Sequence, residues 1–217
     1  MFMHAQSMRG LILFRLWVCR CLVKTVMSPR FFLLYKITKF EGMRELILYT
    51  TVSLDGYLAP VFGGFDMLIS ISNQELEDYG KNVFFDSIDT IIMGGNTYYE
   101  LSCIDVEIPF KDKKIYVVSQ KSLELHKEVR FIKENAINEI KMLKEHDGKN
   151  IWLLGGGILT VSLLEKKLID KMIINYLPYM LGNGIPLFPK YKGESKWKLT
   201  NSQFFKNGIL QVEYQLV

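Results

Sequence analysis

Cysteine is nearly absent from this sequence. There are three in 217 residues, and Cys19 and Cys21 fall within the first 42. With no C-x-x-C pair and no Cys/His metal spacing, a disulfide framework and a zinc site are both excluded, and a reducing cytoplasm is the expected compartment. Histidine is equally scarce. His4 lies in the basic leader and His126 and His146 in polar stretches, so no catalytic histidine is expected. No Pro/Gly-rich linker or internal repeat divides the chain, which points to one domain of ordinary size. Long apolar runs are missing too. The uncharged stretches of the leader are far shorter than the roughly 20 residues that cross a bilayer, and the Ala-x-Ala-like pattern of a secretory signal is absent.

One-sided charge is confined to the leader. Seven basic residues against Glu41 alone give residues 1–42 a net +6, leaving 20 basic against 22 acidic, or −2, for residues 43–217. A slightly acidic body argues against a nucleic-acid-binding surface. For the leader two readings stand: a basic amphipathic segment lying on a membrane, or a stretch upstream of a true start at Met43, not native or disordered. Residues 43–217 are expected to hold the whole domain.

What is present in that body is an alternation of strands and helices. "RELILYTTVSLDGYLA" opens with a β-rich run ending near Thr51, followed by a Ser53–Gly56 turn. Ser72 and Glu75 have capping-box spacing, with Leu76, Tyr79, Val83 and Phe84 at helical intervals behind them. "DTIIMGGNTYYEL" reads as strand, two glycines and helix, and "KKIYVVS" and "VRFI" as further strands. A helix capped by Asn135 carries Ala136, Ile140 and Leu143 on one face and stops at Gly148. "NIWLLGGGILTVSLLEKKL" repeats the strand–glycine–helix pattern, and "KMIINYLP" is one more strand. Asn207–Gly208 signals a type I′ hairpin at the end. The class is α/β with a central mixed, mostly parallel sheet and a C-terminal antiparallel hairpin.

Two β–glycine–α junctions, Gly94–Gly95 and Gly155–Gly157, carry the chemistry. A helix N-terminus presents free N–H groups and partial positive charge, and glycine lets a phosphate approach the backbone closely. Thr97 lies one turn into the first helix and would add a hydroxyl. The Rossmann signature is not met, because Thr160 stands where its third glycine belongs, and the P-loop lysine is missing. Two such junctions in one sheet point to a dinucleotide. Packing turns are the alternative.

The order "SLDGYLA", "IIMGGNTYYEL", "YVVS", "IWLLGGGIL", "LIDKMIINYLPYMLGNGIPLF" resembles the dihydrofolate-reductase-like family, which includes the reductase domain of the bifunctional riboflavin-biosynthesis deaminase-reductase. The resemblance covers residues 44–217. It implies a three-layer fold binding NADPH along the carboxyl edges of the sheet, with a pterin-like or pyrimidine-like heterocycle facing the nicotinamide. Gly94, Gly95 and Thr97 would lie at the phosphates, Ser119 and Gln120 beside the adenosine ribose, Gly155, Gly156 and Gly157 under the pyrophosphate, and Thr51 on the same cofactor. A cis Gly155–Gly156 peptide, a cytoplasmic enzyme and a homodimer are further implications.

Departures from the family pattern bear on the substrate. The loop "APVFGGFDML" has no tryptophan, and Asp66 fills its acidic role only loosely. Leu154 stands where riboflavin-pathway reductases usually place glutamate, and Leu101 where they carry aspartate. Gly95 replaces an arginine that reads the 2′-phosphate, leaving Lys121 as a substitute and admitting NADH. The H-x-E and P-C-x-x-C deaminase signature is absent, so no deaminase half is expected. Asp55 and Asp66 are the candidate proton donors, Tyr57 and Leu154 the substrate-side residues; Asp55 is equally well read as a turn residue. Cys103 reads as a small core filler, Trp152 as core, Trp197 as core or interface, and the 181–188 loop as pocket wall or dimer contact. The expected function is hydride transfer from NADPH, the alternative a silent binding or dimerisation module that kept the fold.

Overall fold

The computed structural model describes residues 43–64, 80–103, 110, 112–121 and 128–217. The leader, the Ser72–Glu75 capping box with Leu76 and Tyr79, Asp66 and His126 lie outside the described residues. The elements in chain order are β1 (Leu46–Ser53), β2 (Tyr57–Ala59), α1 (Lys81–Ser87), β3 (Ile88–Gly94), α2 (Gly95–Cys103), β4 (Lys114–Val118) and β5 (Val129–Ile132). They continue with α3 (Ala136–Glu145), β6 (Asn150–Leu154), α4 (Gly157–Glu165), β7 (Lys171–Leu177), β8 (Ile185–Pro186), β9 (Trp197–Phe204) and β10 (Leu210–Leu216).

Eight strands form one sheet in the order β5-β4-β3-β6-β1-β7-β10-β9, and β2 pairs with β8 separately. The first six run parallel, and β10 enters antiparallel between β7 and β9. Strands buried on both faces need apolar residues at nearly every position, and β1, β3 and β6 comply. Leu46, Leu48, Ile92, Ile151 and Leu153 turn to one face, where α3 and α4 add Ile140, Leu163 and Leu164. Ile47, Tyr49, Ile91, Met93 and Trp152 turn to the other, where α1 and α2 add Phe84 and Tyr98. Three layers result. Trp152 is core as expected: its Nε1 donates to the Tyr49 carbonyl at 2.9 Å, and its ring meets Phe84 edge-on at 5.6 Å.

At the amino ends of the strands, charged groups lock the sheet to its helices. The Arg44 guanidinium, 3% exposed, pairs with Asp89 and donates to Thr90 Oγ1 at 2.7 Å and to the Lys149 carbonyl. Lys144, on α3, reaches the Leu168 carbonyl at 2.9 Å and the Asp170 carboxylate, which also accepts from the Leu46 amide at 2.7 Å.

Several local expectations are corrected. β1 continues through Ser53. In α1, Phe84 is buried but Val83 is 75% exposed, so Val83 is not on the apolar face. Asn135 precedes α3 with φ 53 and its side chain caps nothing; its carbonyl accepts from Asn138 and Glu139 instead. That helix ends at Glu145, before Gly148. Cys103 is exposed at the end of α2 and fills no core space.

The final hairpin is not type I′. Phe205 N–H donates to the Ile209 carbonyl and Gly208 N–H to the Phe205 carbonyl, both at 2.9 Å, closing a three-residue loop. Only Gly208 takes positive φ, at 83°, whereas type I′ needs it at both central residues. Among the described residues no peptide bond is cis, Gly155–Gly156 included. No described helix is long and apolar enough to cross a membrane.

Candidate active site

Strands β3 and β6 are parallel neighbours, with Met93 opposite Leu154. Their following helices leave for opposite faces, α2 toward the Trp152 side and α4 toward the Leu153 side. A crevice at such a divergence, outside the carboxyl ends of the strands, is where open α/β sheets take ligands. Both glycine junctions lie at those carboxyl ends. Gly155 and Gly156 have φ of 63° and 87°, so each turns the chain through a conformation that a side chain disfavours. A Cβ on either would lie 3.7 Å from Thr97 Oγ1. The threonine predicted from the first junction therefore stands over the second.

The surrounding electrostatics suit an anion. Neither α2 nor α4 has an acidic residue in its first turn, and Gly156 gives α4 no side-chain cap, so neither helix offsets its own positive end there. Gly95 is explained by its neighbour. A Cβ there would come within 2.8 Å of Ser119 Oγ, which occupies the space an arginine would need and accepts from the Lys121 amide at 3.1 Å. Gln120 is exposed beside it. Gly157 is different from its two predecessors. It is buried, and a Cβ there would overlap the Pro186 carbonyl oxygen and meet Pro189 Cδ at 2.8 Å. The third glycine is a packing contact and lines no cradle.

On the other side of β6, the β1–β2 turn is joined to the 181–187 loop. Asp55 accepts from Ser53 Oγ at 2.5 Å and from the amides of Leu181 and Gly182 at 3.2 and 2.7 Å. The Ser53 hydrogen bond first, helped by these amides, holds its carboxyl below the ordinary value despite some loss of solvation. Asp55 thus stays ionised and engaged, which favours its turn reading over proton donation. Tyr57 packs on Gly184, its amide donates to Ser53 Oγ at 3.0 Å, and β2 pairs with β8. The "LGNGIPLF" loop is therefore the partner of β2 and the lid on Gly157. Leu154 is half-buried against the Trp152 cluster.

Residues 44–211 match the RibD C-terminal domain family model. The chain belongs to this family. It is similar to the uncharacterized protein YwjB of Bacillus subtilis (strain 168), 34% identical over 172 residues that cover 79% of this chain and 97% of that protein. Among solved structures it is similar to a protein from Shewanella sp. PV-4 assigned to riboflavin biosynthesis, with TM-score 0.72 and 28% identity, covering 80% and 99% of the two chains. It also shares the dihydrofolate reductase fold: the Enterococcus faecalis enzyme, complexed with NADP(H), superimposes with TM-score 0.57 at 13% identity over 79% of this chain and 96% of that one.

In this RibD C-terminal domain, Gly94, Gly95, Thr97, Ser119, Gly155 and Gly156 come together, and Thr51 lies one strand away on β1. Among the described residues no cluster of three or more His, Cys, Asp or Glu is placed to hold a metal. Glu100 carries no signal of its own in the sequence. It follows Thr97 by three residues on α2, the spacing that puts two side chains on one helix face. Its carboxyl lies against the backbone of Gly63, so closely that a Cβ there would overlap it. Burial raises its pKa above the ordinary 4.5, making it better suited than Asp55 to keep a proton.

A raised carboxyl in the folded state means that folding takes up a proton as pH rises past the ordinary value. Stability is then full below 4.5 and declines as pH rises through the folded-state value. Glu100→Gln removes that decline. In thermal melts, the variant and the parent are expected to coincide at acid pH, with the variant pulling ahead as pH rises. A constant offset across the range would contradict the assignment.

Proposed function

We propose that this protein is an NADPH-dependent reductase acting on a planar, pterin-like or pyrimidine-like heterocycle. The observation that carries the reading is the meeting of the two glycine junctions at Thr97, in the crevice between β3 and β6. Two helix N-termini converge there on space sized by Gly155 and Gly156, an arrangement suited to the two phosphates of a dinucleotide. Family membership supports it, as do the riboflavin-biosynthesis assignment of the Shewanella relative and the NADP(H) complex of the Enterococcus enzyme.

The residues divide the work. Amides of the α2 and α4 N-termini and the Thr97 hydroxyl hold the pyrophosphate. Ser119, beside Gly95, faces the adenosine end, and Lys121 follows it as the nearby cation for a 2′-phosphate. Bound there, a reduced nicotinamide supplies the hydride, so the protein contributes orientation, water exclusion and a proton. Glu100, three residues after Thr97 on the same helix and with a carboxyl pushed up by burial, is the proposed source of that proton, and Tyr57 and Leu154 are the proposed substrate-side residues.

The test is consumption of NADPH by the purified protein with a panel of dihydropterins and aminopyrimidinediones. NADPH loss with one member, abolished in a Thr97→Val variant, is the expected result. Tight NADPH binding with no consumption across the panel would instead support the silent-module reading, which the leucines at 101 and 154 favour.

A further inference from the structure

The segment from Leu181 to Pro189 has little to hold it in its own sequence. Gly182 takes φ 71, and Gly184 lies so close to the Ala59 carbonyl oxygen that a Cβ there would overlap it. What fixes the segment comes from elsewhere in the chain. At one end the Asp55 carboxylate accepts from the Leu181 and Gly182 amides, 126 and 127 residues away. At the other, Leu187 is 3% exposed in the core cluster of Leu153, Leu163 and Leu164, and its amide donates to the Gly56 carbonyl at 3.0 Å. Asp55 is held in turn by the fully buried Ser53, whose hydroxyl donates to it and accepts from the Tyr57 amide at 3.0 Å. An ionised carboxylate on two backbone amides makes charge-assisted bonds, about twice as strong as neutral ones.

Between and beyond these anchors the segment reaches α4. Pro186 pairs with Tyr57 on β2, while its carbonyl oxygen and the Pro189 ring stand so close to Gly157 that a Cβ there would overlap them. Gly157 opens α4 and directly follows Gly156. The Thr160 amide donates to the Gly156 carbonyl at 2.9 Å, so the amides of Gly157, Ile158 and Leu159 before it have no partner within the helix. Those three are the donors that this helix offers an anion. Hydrogen bonds weaken steeply as their angle closes, so the direction of this first turn decides what the donors can hold. The segment packed on Gly157 sets that direction.

We propose that Asp55 is a positioning residue for the phosphate seat: by holding Leu181 and Gly182 it keeps Pro186 and Pro189 on Gly157 and so aims the α4 amides. The inference rests on the cofactor reading above. Asp55 touches no ligand in this role and gives up no proton. A plain connection leaving β7 needs no such staple, because Leu187 already anchors it in the core. With the staple, the turn that carries Tyr57 and the helix at the phosphate seat share one support. A supporting contact of this kind matters because a seat displaced by about 1 Å loses much of its grip.

The experiment uses the full isotope-labelled chain, first without ligand. Asp55→Ala is expected to move the amide resonances of Gly157, Ile158 and Leu159 and to leave those of Gly95 and Thr97, at the other junction, in place. By calorimetry the same variant binds NADPH and 2′-phospho-ADP-ribose, which share the pyrophosphate, about tenfold more weakly than the parent, the loss of one good hydrogen bond. Asp55→Asn keeps one acceptor oxygen and recovers part of the loss; it carries the test if the alanine variant does not fold. Pro189→Ala, which removes the ring over Gly157, weakens both compounds in the same way, and the double variant falls short of the two losses multiplied together. Unmoved α4 amides, equal movement at both junctions, parental affinity for the two compounds, or fully multiplied losses would overturn the positioning role. A parent that binds NADPH while its variants give these results still has its cofactor site; a parent that binds neither compound overturns the cofactor reading and the positioning role with it.

Discussion

Gly156→Ala is expected to fold and yet to lose NADPH binding by more than about tenfold. The position has φ 87 and ψ 97, outside the regions open to residues with a Cβ, and holding alanine there costs on the order of 1–3 kcal/mol. That cost is conformational. A Cβ would find its nearest neighbours, Thr97 Oγ1 and Leu159 Cβ, at 3.7 and 3.9 Å, which is ordinary contact. The methyl would nevertheless stand between Thr97 and the glycine turn, where the phosphates are seated in this account. Gly157→Ala provides the contrast. Its methyl would collide with Pro186 and Pro189, an overpacking cost of about 1–3 kcal/mol, without entering the cradle. Calorimetric titration beside thermal melts separates the two: the first variant loses affinity beyond its loss of stability, the second loses stability first. Equal binding by Gly156→Ala and the parent would mean that the turn is a packing device.

Arg44→Ala is expected to destabilise the fold by about 3–5 kcal/mol, the usual cost of removing one partner from a buried ion pair. The side chain is 3% exposed and is shared among Asp89, Thr90 Oγ1 and the Lys149 carbonyl, so its loss removes a charged donor from three acceptors between β3 and the start of β6. Asp89 also shows the pH sign. Burial alone would raise its pKa, but bonds from Thr90 and the Lys149 amide, together with Arg44, lower it overall. Its stabilising contribution is therefore present above the ordinary aspartate value and lost as pH falls through the lower folded-state one. Arg44→Lys is expected to recover only part of the stability, because an ammonium cannot reproduce the guanidinium fork. Urea unfolding of both variants reads the effect. A loss under about 1 kcal/mol for Arg44→Ala would place this cluster with ordinary surface pairs.

The chain announces its local features and hides its long-range ones. Gly94–Gly95, Gly155–Gly156 and Thr97 were legible because a strand, a glycine turn and a helix are written consecutively. Their meeting was not, since it depends on β6 entering the sheet between β1 and β3, a pairing that spans some hundred residues. Asp55 looked like a turn residue or an acid with equal merit; the amides of Leu181 and Gly182, which engage it, arrive from the far end of the domain. Gly157 belonged by sequence to the phosphate turn and by packing to Pro186. Asn175 and Gln211 visibly interrupt apolar strands, but only the β7–β10 register shows that they are hydrogen-bonded partners. The hairpin was placed correctly and its turn type was not, because Asn207–Gly208 suits both the type I′ turn and the three-residue loop that forms.

The central claim is that the two glycine junctions form one dinucleotide phosphate seat. Backbone amide resonances of the isotope-labelled chain, followed during titration with NADPH, test it most directly. The account predicts saturable shifts with a micromolar dissociation constant, largest at Gly95, Thr97, Gly155, Gly156 and Ile158. Shifts that do not saturate, or a saturable site elsewhere that leaves these five amides unmoved, would contradict it.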